Sequence, residues 1–142
     1  MLVDANLLLF ATDRESPFHD RALPWLTDQL NGDRRVGFPW LSLTAFVRIA
    51  TDPRGFVSVL TPAQAWAQVD AWLTRRVAWV PGPGPRHAAV FGQLLVRHHV
   101  SGALVTDAHL AAIAIEHGLT VCSADTDFAR FSEVRWHNPV AP

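Results

Sequence analysis

Short apolar runs of strand length alternate along this chain with longer segments whose apolar residues recur at helical spacing. The runs predict strands at residues 1–3, 35–38, 77–80, 119–122 and 134–136. Successive strands that are separated by a helix are typical of a parallel sheet, because the helix returns the chain to the same edge. The alternation therefore predicts an α/β fold with a central parallel sheet of four to five strands, flanked by helices on both faces.

The segments between these runs predict the helices. Helices are expected from residue 7, over 19–30, from 39, from 61–62, over 86–99 and over 106–117. Thr61 is a good N-cap, and Gly118 closes the last helix. Pro24 interrupts the second helical pattern and is expected to be tolerated only near the first turn. The stretch 81–85 (PGPGP) favours a tight surface loop over a domain linker, so we expect residues 1–142 to form a single domain.

Composition excludes some chemistry. All 12 basic residues are Arg and none is Lys, which excludes Schiff-base enzymes and phosphate loops that need a lysine. The formal net charge of -1 gives no overall basic excess for nucleic acid, although a local basic face would still bind phosphates. The lone Cys122 favours a reducing compartment, and no apolar run approaches the roughly 20 residues of a membrane span. We therefore expect a cytoplasmic protein without a membrane partner.

Four aspartates stand where the predicted sheet would bring them together. Asp4 ends the first strand, and Asp125 and Asp127 follow the fourth. Asp107 lies in the first turn of the helix before the fourth strand, whose amino end faces the same edge of the sheet. Carboxylates so gathered repel one another unless a cation joins them. Oxygen ligands of this kind suit Mg²⁺ or Mn²⁺, which activate water and stabilise phosphate oxygens.

Each of these residues also has a purely structural interpretation. Asp4 and Asp107 are suitable helix caps, and the run 123–127 (SADTD) is typical of a turn. The convergence of three segments is what favours a metal site. Arg48 is the candidate for a substrate phosphate contact, with an ion pair or a solvated position as alternatives. Two interpretations stay open for five other arginines: a basic surface that RNA approaches, or an ordinary solvated face. These are Arg34, Arg35, Arg75, Arg76 and Arg86.

Taken in order along the chain, these segments resemble the PIN-domain ribonucleases, and within them the mycobacterial-type branch of the VapC toxins from type II toxin–antitoxin pairs. The matching segments are 3–6 (VDAN), 39–43 (PWLSL), 46–51 (FVRIAT), 106–112 (TDAHLAA) and 123–128 (SADTDF). The ordered set covers nearly the whole chain. The resemblance implies a PIN-like domain and an endoribonuclease, dependent on Mg²⁺ or Mn²⁺, that hydrolyses structured RNA such as tRNA or rRNA by metal-activated water. It also implies a homodimer that a small cognate antitoxin neutralises.

The resemblance assigns roles by position. Asp4, Asp107 and Asp125 would be catalytic metal ligands, with Asp127 as a nearby or water-mediated ligand. Asn6 and Ser123 would orient these carboxylates. Most family members carry a Glu on the second-helix region, whereas residues 43–48 (LTAFVR) contain no acid here. That departure leaves open whether one or two ions bind. It also keeps two alternatives in view: a PIN fold with weakened catalysis that serves as a binding module, and a nuclease directed at DNA.

Overall fold

A five-stranded parallel sheet forms the centre of the computed structural model, which describes residues 1–55 and 57–142. Each adjacent pair in the order β3-β2-β1-β4-β5 is parallel. The strands are β1 (Leu2–Val3), β2 (Val36–Gly37), β3 (Ala78–Trp79), β4 (Thr120–Cys122) and β5 (Arg135–His137). The predicted parallel sheet of four to five strands is thus confirmed, with five.

Helices connect the strands in the alternating order that the sequence predicts. The α-helices are α1 (Ala5–Thr12), α2 (His19–Asn31), α3 (Trp40–Ala50), α4 (Pro62–Leu73), α5 (His87–Arg97) and α6 (Leu104–Glu116). A short 3₁₀ helix, Thr126–Arg130, follows β4. Within the described residues no helix has the length and apolar character that crossing a membrane requires.

Helices cover both faces of the sheet, as predicted. Successive strand residues point to opposite faces, so Leu2 packs in one cluster of buried side chains and Val3 in the other. The cluster around Val3 is supplied largely by α1, α2, α3 and α4. The cluster around Leu2 is supplied largely by α5, α6 and the 3₁₀ helix, which contributes the fully buried Phe128.

Several element boundaries and one prediction differ from the sequence interpretation. Helix α1 begins at Ala5 rather than residue 7, and α6 begins at Leu104 rather than 106. The expectation that Pro24 requires the first turn is wrong, because it is the sixth residue of α2. Pro24 and Asp20, whose carbonyl would accept from residue 24, are both exposed, so water can bond the carbonyl that proline leaves without a partner.

The predicted ends of two helices are confirmed. Thr61 accepts a hydrogen bond from Gln64 N at 3.2 Å, and Gln64 Oε1 accepts from Thr61 N at 2.9 Å. Gly118 follows α6 with φ of 64°, a conformation that side chains other than glycine rarely adopt. The loop at 81–85 is held to α6, because Gly84 N donates to Glu116 at 2.9 Å.

The topology places three chain segments at one edge of the sheet. β1 and β4 are neighbours, and Asp4 N donates to Cys122 O at 3.0 Å just beyond their paired residues. β2 leads directly into α3, whose amino end therefore starts at this same carboxyl edge. α6 precedes β4, which brings the amino end of α6 to the same edge. The crevice beyond these strand ends is the usual location of sites in open α/β sheets.

Candidate metal centre

Three carboxylates from two elements converge at the carboxyl edge of the sheet. Asp107 lies in the first turn of α6, and Asp125 and Asp127 lie at the start of the 3₁₀ helix. Each offers an oxygen, and these three atoms lie within 4.8 Å of one another. Phe128 and the nearby Phe131 are buried against α6, and this packing holds the two acidic turns together.

Asp4 lies at the same edge of the sheet but is engaged in a hydrogen-bond network instead of joining that group of close oxygens. Its carboxylate caps α1 by accepting from Ala5 N at 2.7 Å. It also accepts from Asn6 Nδ2 at 2.9 Å and from Ser123 Oγ at 2.7 Å. Ser123 Oγ in turn accepts from Asp125 N at 3.0 Å. One network thus ties the end of β1 to the turn that carries Asp125.

Asn6 links the same two segments. Its Nδ2 also donates to Ser123 Oγ at 2.9 Å, and its Oδ1 accepts from Ala124 N at 3.2 Å. Ser123 is fully buried, and Trp136 Nε1 donates to its carbonyl at 3.0 Å. Asn6 and Ser123 therefore hold Asp4 and the turn after β4 in a fixed geometry.

The helix-capping interpretation is true of two of the four acids and false of a third. Asp4 caps α1, and Asp125 caps the 3₁₀ helix by accepting from Asp127 N at 2.8 Å. Asp107 is the fourth residue of α6, whose N-cap position is Ala103. Its carboxylate makes no hydrogen bond to any residue that the structure describes, so a capping role does not explain it.

Electrostatics distinguish these acids as well. Burial, followed by the charges of Asp125, Asp4 and Asp127, raises the pKa of Asp107 to about 6, although Arg130 opposes the rise. Burial also raises the pKa of Asp4, while its hydrogen bonds from Ser123 and Ala5 lower it. A buried carboxylate that faces other carboxylates favours protonation or a bound cation.

A cleft of about 300 Å³ lies beside Asp4 and Asp107 and is walled by α3. The wall is formed by Leu41, Ser42, Thr44, Ala45 and Arg48. None of these residues carries a carboxylate. The Glu that the family resemblance leads one to expect on this helix is therefore not replaced by another acid on the α3 wall of the cleft.

The donor set fits a hard divalent cation. Three carboxylates with oxygens in mutual reach match the oxygen ligands and charge that Mg²⁺ and Mn²⁺ prefer. The sequence suggested Asp4, Asp107 and Asp125 as the principal metal ligands. In the structure, Asp127 takes the place of Asp4 in the group of close oxygens. All four acids nevertheless lie at one edge of the sheet.

One polar side chain of the cleft carried no signal in the sequence. Ser42 is 2% exposed, lines the cleft, and its Oγ has no hydrogen-bond partner among the described residues. A buried hydroxyl without a partner is costly and is usually satisfied by a ligand or water. A lone serine in an apolar helix start gives no pattern by which it could have been found.

The structure places four of the five arginines considered for an RNA approach away from the site. Arg34, Arg35, Arg75 and Arg76 precede β2 and β3 and so lie at the amino edge of the sheet, opposite the acids. Arg76 pairs with Asp33 at 2.8 Å, and the Arg35 guanidinium lies 4.2 Å from the centre of the Trp79 ring. Arg48, by contrast, lines the acidic cleft.

Comparison with known proteins agrees with this geometry. The PIN domain family model matches residues 1–134. The chain is 44% identical over 140 residues to Ribonuclease VapC37 of Mycobacterium tuberculosis, which covers 99% of this chain and 97% of that relative. Ribonuclease VapC33 of the same species is 39% identical over 140 residues, covering 99% and 98%.

Solved structures support the fold. VapBC2 from Rickettsia felis, bound to a DNA fragment from its promoter, matches with a TM-score of 0.72 at 14% identity, covering 96% of each chain. Mycobacterium tuberculosis VapC20, described as a Sarcin-Ricin loop cleaving toxin, matches with a TM-score of 0.68 at 19% identity, covering 94% and 98%. The family match and the near full-length identities confirm the resemblance read from the sequence: this chain belongs to the PIN-domain family and, within it, to the VapC group.

Proposed function

We propose that this protein is the toxin of a toxin–antitoxin pair and a Mg²⁺- or Mn²⁺-dependent endoribonuclease that hydrolyses phosphodiester bonds of structured RNA, either tRNA or rRNA. The observation that carries the proposal is the convergence of Asp107, Asp125 and Asp127 within 4.8 Å at the sheet edge. The relatives named ribonucleases at 44% and 39% identity support the same activity.

The acids at the sheet edge and the residues of the adjoining cleft have two roles, holding a cation and positioning the substrate. Asp107, Asp125 and Asp127 would hold the divalent cation, which would supply an activated water and offset negative charge on phosphate. Asp4, oriented by Asn6 and Ser123, supplies a further carboxylate at the cleft. Fixed orientation of this kind reduces the reorganisation that the reaction requires.

Arg48 completes the site as the contact for the substrate phosphate. It lines the cleft from α3 and is exposed, so its guanidinium can reach a bound backbone. Because the α3 wall contains no acid, we propose that one ion suffices. Calorimetric titration with Mn²⁺ tests this directly: a stoichiometry of two ions per chain would contradict it.

Cleavage of purified tRNA and rRNA tests the activity. We expect cleavage with Mg²⁺ or Mn²⁺ that chelation abolishes, and a loss of about 100-fold or more for Asp107→Asn and Asp125→Asn, since each removes a ligand. The matched control is Asp70→Asn, the same change at an exposed position of α4, which should cleave like the wild type. Undiminished cleavage by both site variants would refute the site.

A parallel assay separates the alternatives. The same sequences supplied as single-stranded DNA should be cleaved far more slowly, and equal rates would favour the DNA-directed nuclease. Binding of RNA without any metal-dependent cleavage would favour a binding module that has lost catalysis.

The partners follow from the same proposal. Solved structures that share the fold include VapBC and FitAB complexes, which supports a small antitoxin as the partner. We propose a cytoplasmic homodimer that such an antitoxin neutralises. Co-expression with the protein encoded by the adjacent reading frame should restore growth, and sedimentation analysis of the purified toxin should give twice the monomer mass.

A further inference from the structure

Two tryptophan side chains beside α3 are half exposed to solvent. Trp40 begins α3, Trp66 lies in α4, and each is 52% exposed. They line a groove of about 310 Å³ together with the apolar side chains Leu43, Val47 and Val69. We call this surface the Trp40–Trp66 groove. Large apolar side chains gathered at the surface are typical of binding sites, because a ligand that covers them removes apolar surface from water.

The helices under the groove are packed firmly, so the two rings are held on a rigid base. Trp72 of α4 is 6% exposed and lies edge-on to Phe46 of α3, with ring centres 4.9 Å apart. Trp72 also stacks on Phe38, with ring centres 6.1 Å apart. A ligand in the groove therefore meets a preformed surface, which lowers the ordering cost of binding.

The groove adjoins the acidic cleft across α3. Thr44 and Arg48 line both, so α3 forms the wall between the two spaces. On one side of this wall α3 presents Trp40 and Val47, and on the other side it presents Ala45 to the cleft. A chain that crosses α3 next to Arg48 would occupy the groove and the cleft together.

The charge of the groove favours an anionic ligand group beside its apolar surface. Among the described residues, no acidic side chain lines the groove, and Arg48 is its only charged one. The Arg48 guanidinium makes no hydrogen bond or ion pair in the described part of the chain, and the nearby Asp52 is paired with Arg54 at 2.9 Å. An apolar peptide would fill the groove but would leave this guanidinium without a partner. A nucleotide supplies both a flat ring and an adjoining phosphate.

We propose that the Trp40–Trp66 groove stacks an unpaired nucleobase of the RNA substrate, next to the phosphate that Arg48 contacts. The inference rests on the proposed ribonuclease function and adds a subsite to it. Proteins recognise unpaired bases of structured RNA by stacking them on aromatic rings. Stacking tolerates different bases, because every base has a π-face.

Binding of a short fluorescein-labelled single-stranded RNA tests the subsite. Anisotropy is measured in the Asp107→Asn background, so that the RNA stays intact in Mg²⁺. We expect Trp40→Ala and Trp66→Ala each to weaken binding about tenfold, the scale of one lost base stack. Trp40→Phe and Trp66→Phe should retain most of the affinity and also guard against misfolding of the alanine variants. Val96→Ala, an exposed apolar residue of α5, is the matched control and should bind unchanged.

An abasic scan of the same RNA identifies the stacked base. At one position, removal of the base should weaken binding to the parent protein about tenfold and should not weaken binding to the Trp40→Ala variant further. Equal RNA affinity of parent and tryptophan variants, with wild-type cleavage intact, would overturn the subsite alone. Variants that bind RNA normally but lose the antitoxin would overturn it in favour of a protein partner. A wild-type protein that neither binds nor cleaves RNA would overturn the proposed function as well.

Discussion

Two aspartates of the cleft, Asp4 and Asp107, have the same side chain but different surroundings. Asp4 accepts hydrogen bonds from Ala5 N, Asn6 and Ser123, which offset part of the cost of its burial. Asp107 accepts none from the described residues, and burial with three neighbouring carboxylates raises its pKa to about 6. The charge of Asp107 therefore destabilises the metal-free fold, whereas Asp4 also stabilises it through these bonds.

Replacing Asp107 by Asn should therefore stabilise the fold of the metal-free protein, by an amount that depends on pH. In the folded protein the pKa of Asp107 is about 6, above the value near 4 of an unfolded Asp. The destabilisation that the Asp107 charge causes is therefore fully present above about pH 7. It declines as pH falls through 6 towards 4. In EDTA, Asp107→Asn should melt at a higher temperature than wild type at pH 8, and the difference should shrink by pH 5.

The control for this prediction is Asp4→Asn. In either orientation the amide points a donor at another donor, at Ala5 N in one and at Asn6 Nδ2 in the other, and we expect a loss of about 1–3 kcal/mol in the free energy of unfolding. If both variants were stabilised in EDTA, the distinction between the two carboxylates would be wrong.

At the scale of elements, α2 contains the clearest conflict between local preference and structure. Pro24 is the sixth residue of this helix, so the carbonyl of Asp20 has no amide donor one turn later. Pro62 differs, because it lies at the start of α4, where no amide is needed and its fixed φ suits the helix. Proline thus opposes one helix and supports another.

Replacing Pro24 by Ala should stabilise the protein. The change restores an amide donor and a better helix former at an exposed position, and we expect a gain of about 1–3 kcal/mol in the free energy of unfolding. Urea denaturation followed by circular dichroism measures it. Pro62→Ala is the matched control and should change stability little or lower it. A loss at Pro24 would mean that the ring makes contacts that outweigh the missing bond.

At the scale of the whole molecule, the acidic centre joins segments that are far apart in sequence. Asp107 lies on α6, while Asp125 and Asp127 lie beyond β4, and Ser123 links that turn to Asp4 at the start of the chain. A cation held by the cluster binds only the folded arrangement, so its binding free energy adds to the stability of the fold.

Divalent metal should therefore raise the melting temperature of the whole protein. At a Mn²⁺ concentration about 100 times its dissociation constant we expect about 2.7 kcal/mol of stabilisation, or a shift on the order of 5–10 °C for a chain of this size. Thermal unfolding with Mn²⁺ and with EDTA measures the shift. Asp70→Asn should show the same shift, and Asp107→Asn should lose most of it. An equal shift in both variants would place the ion elsewhere.

The sequence alone determined the features that depend on local spacing and on strand direction. Alternating elements determine a parallel sheet, and parallel strands necessarily place residues that follow them, such as Asp4 and Asp125, at one edge. The N-cap at Thr61 and the turn at Gly118 are likewise local.

Only the tertiary structure decided which side chains meet. Separations of a few ångströms depend on packing between distant segments, and the burial of Phe128 and Phe131 is what brings Asp127 to Asp107 while Asp4 turns to Ser123. The same is true of the Trp40–Trp66 groove, because six tryptophans look alike in sequence and only packing determines which two stay at the surface beside Arg48.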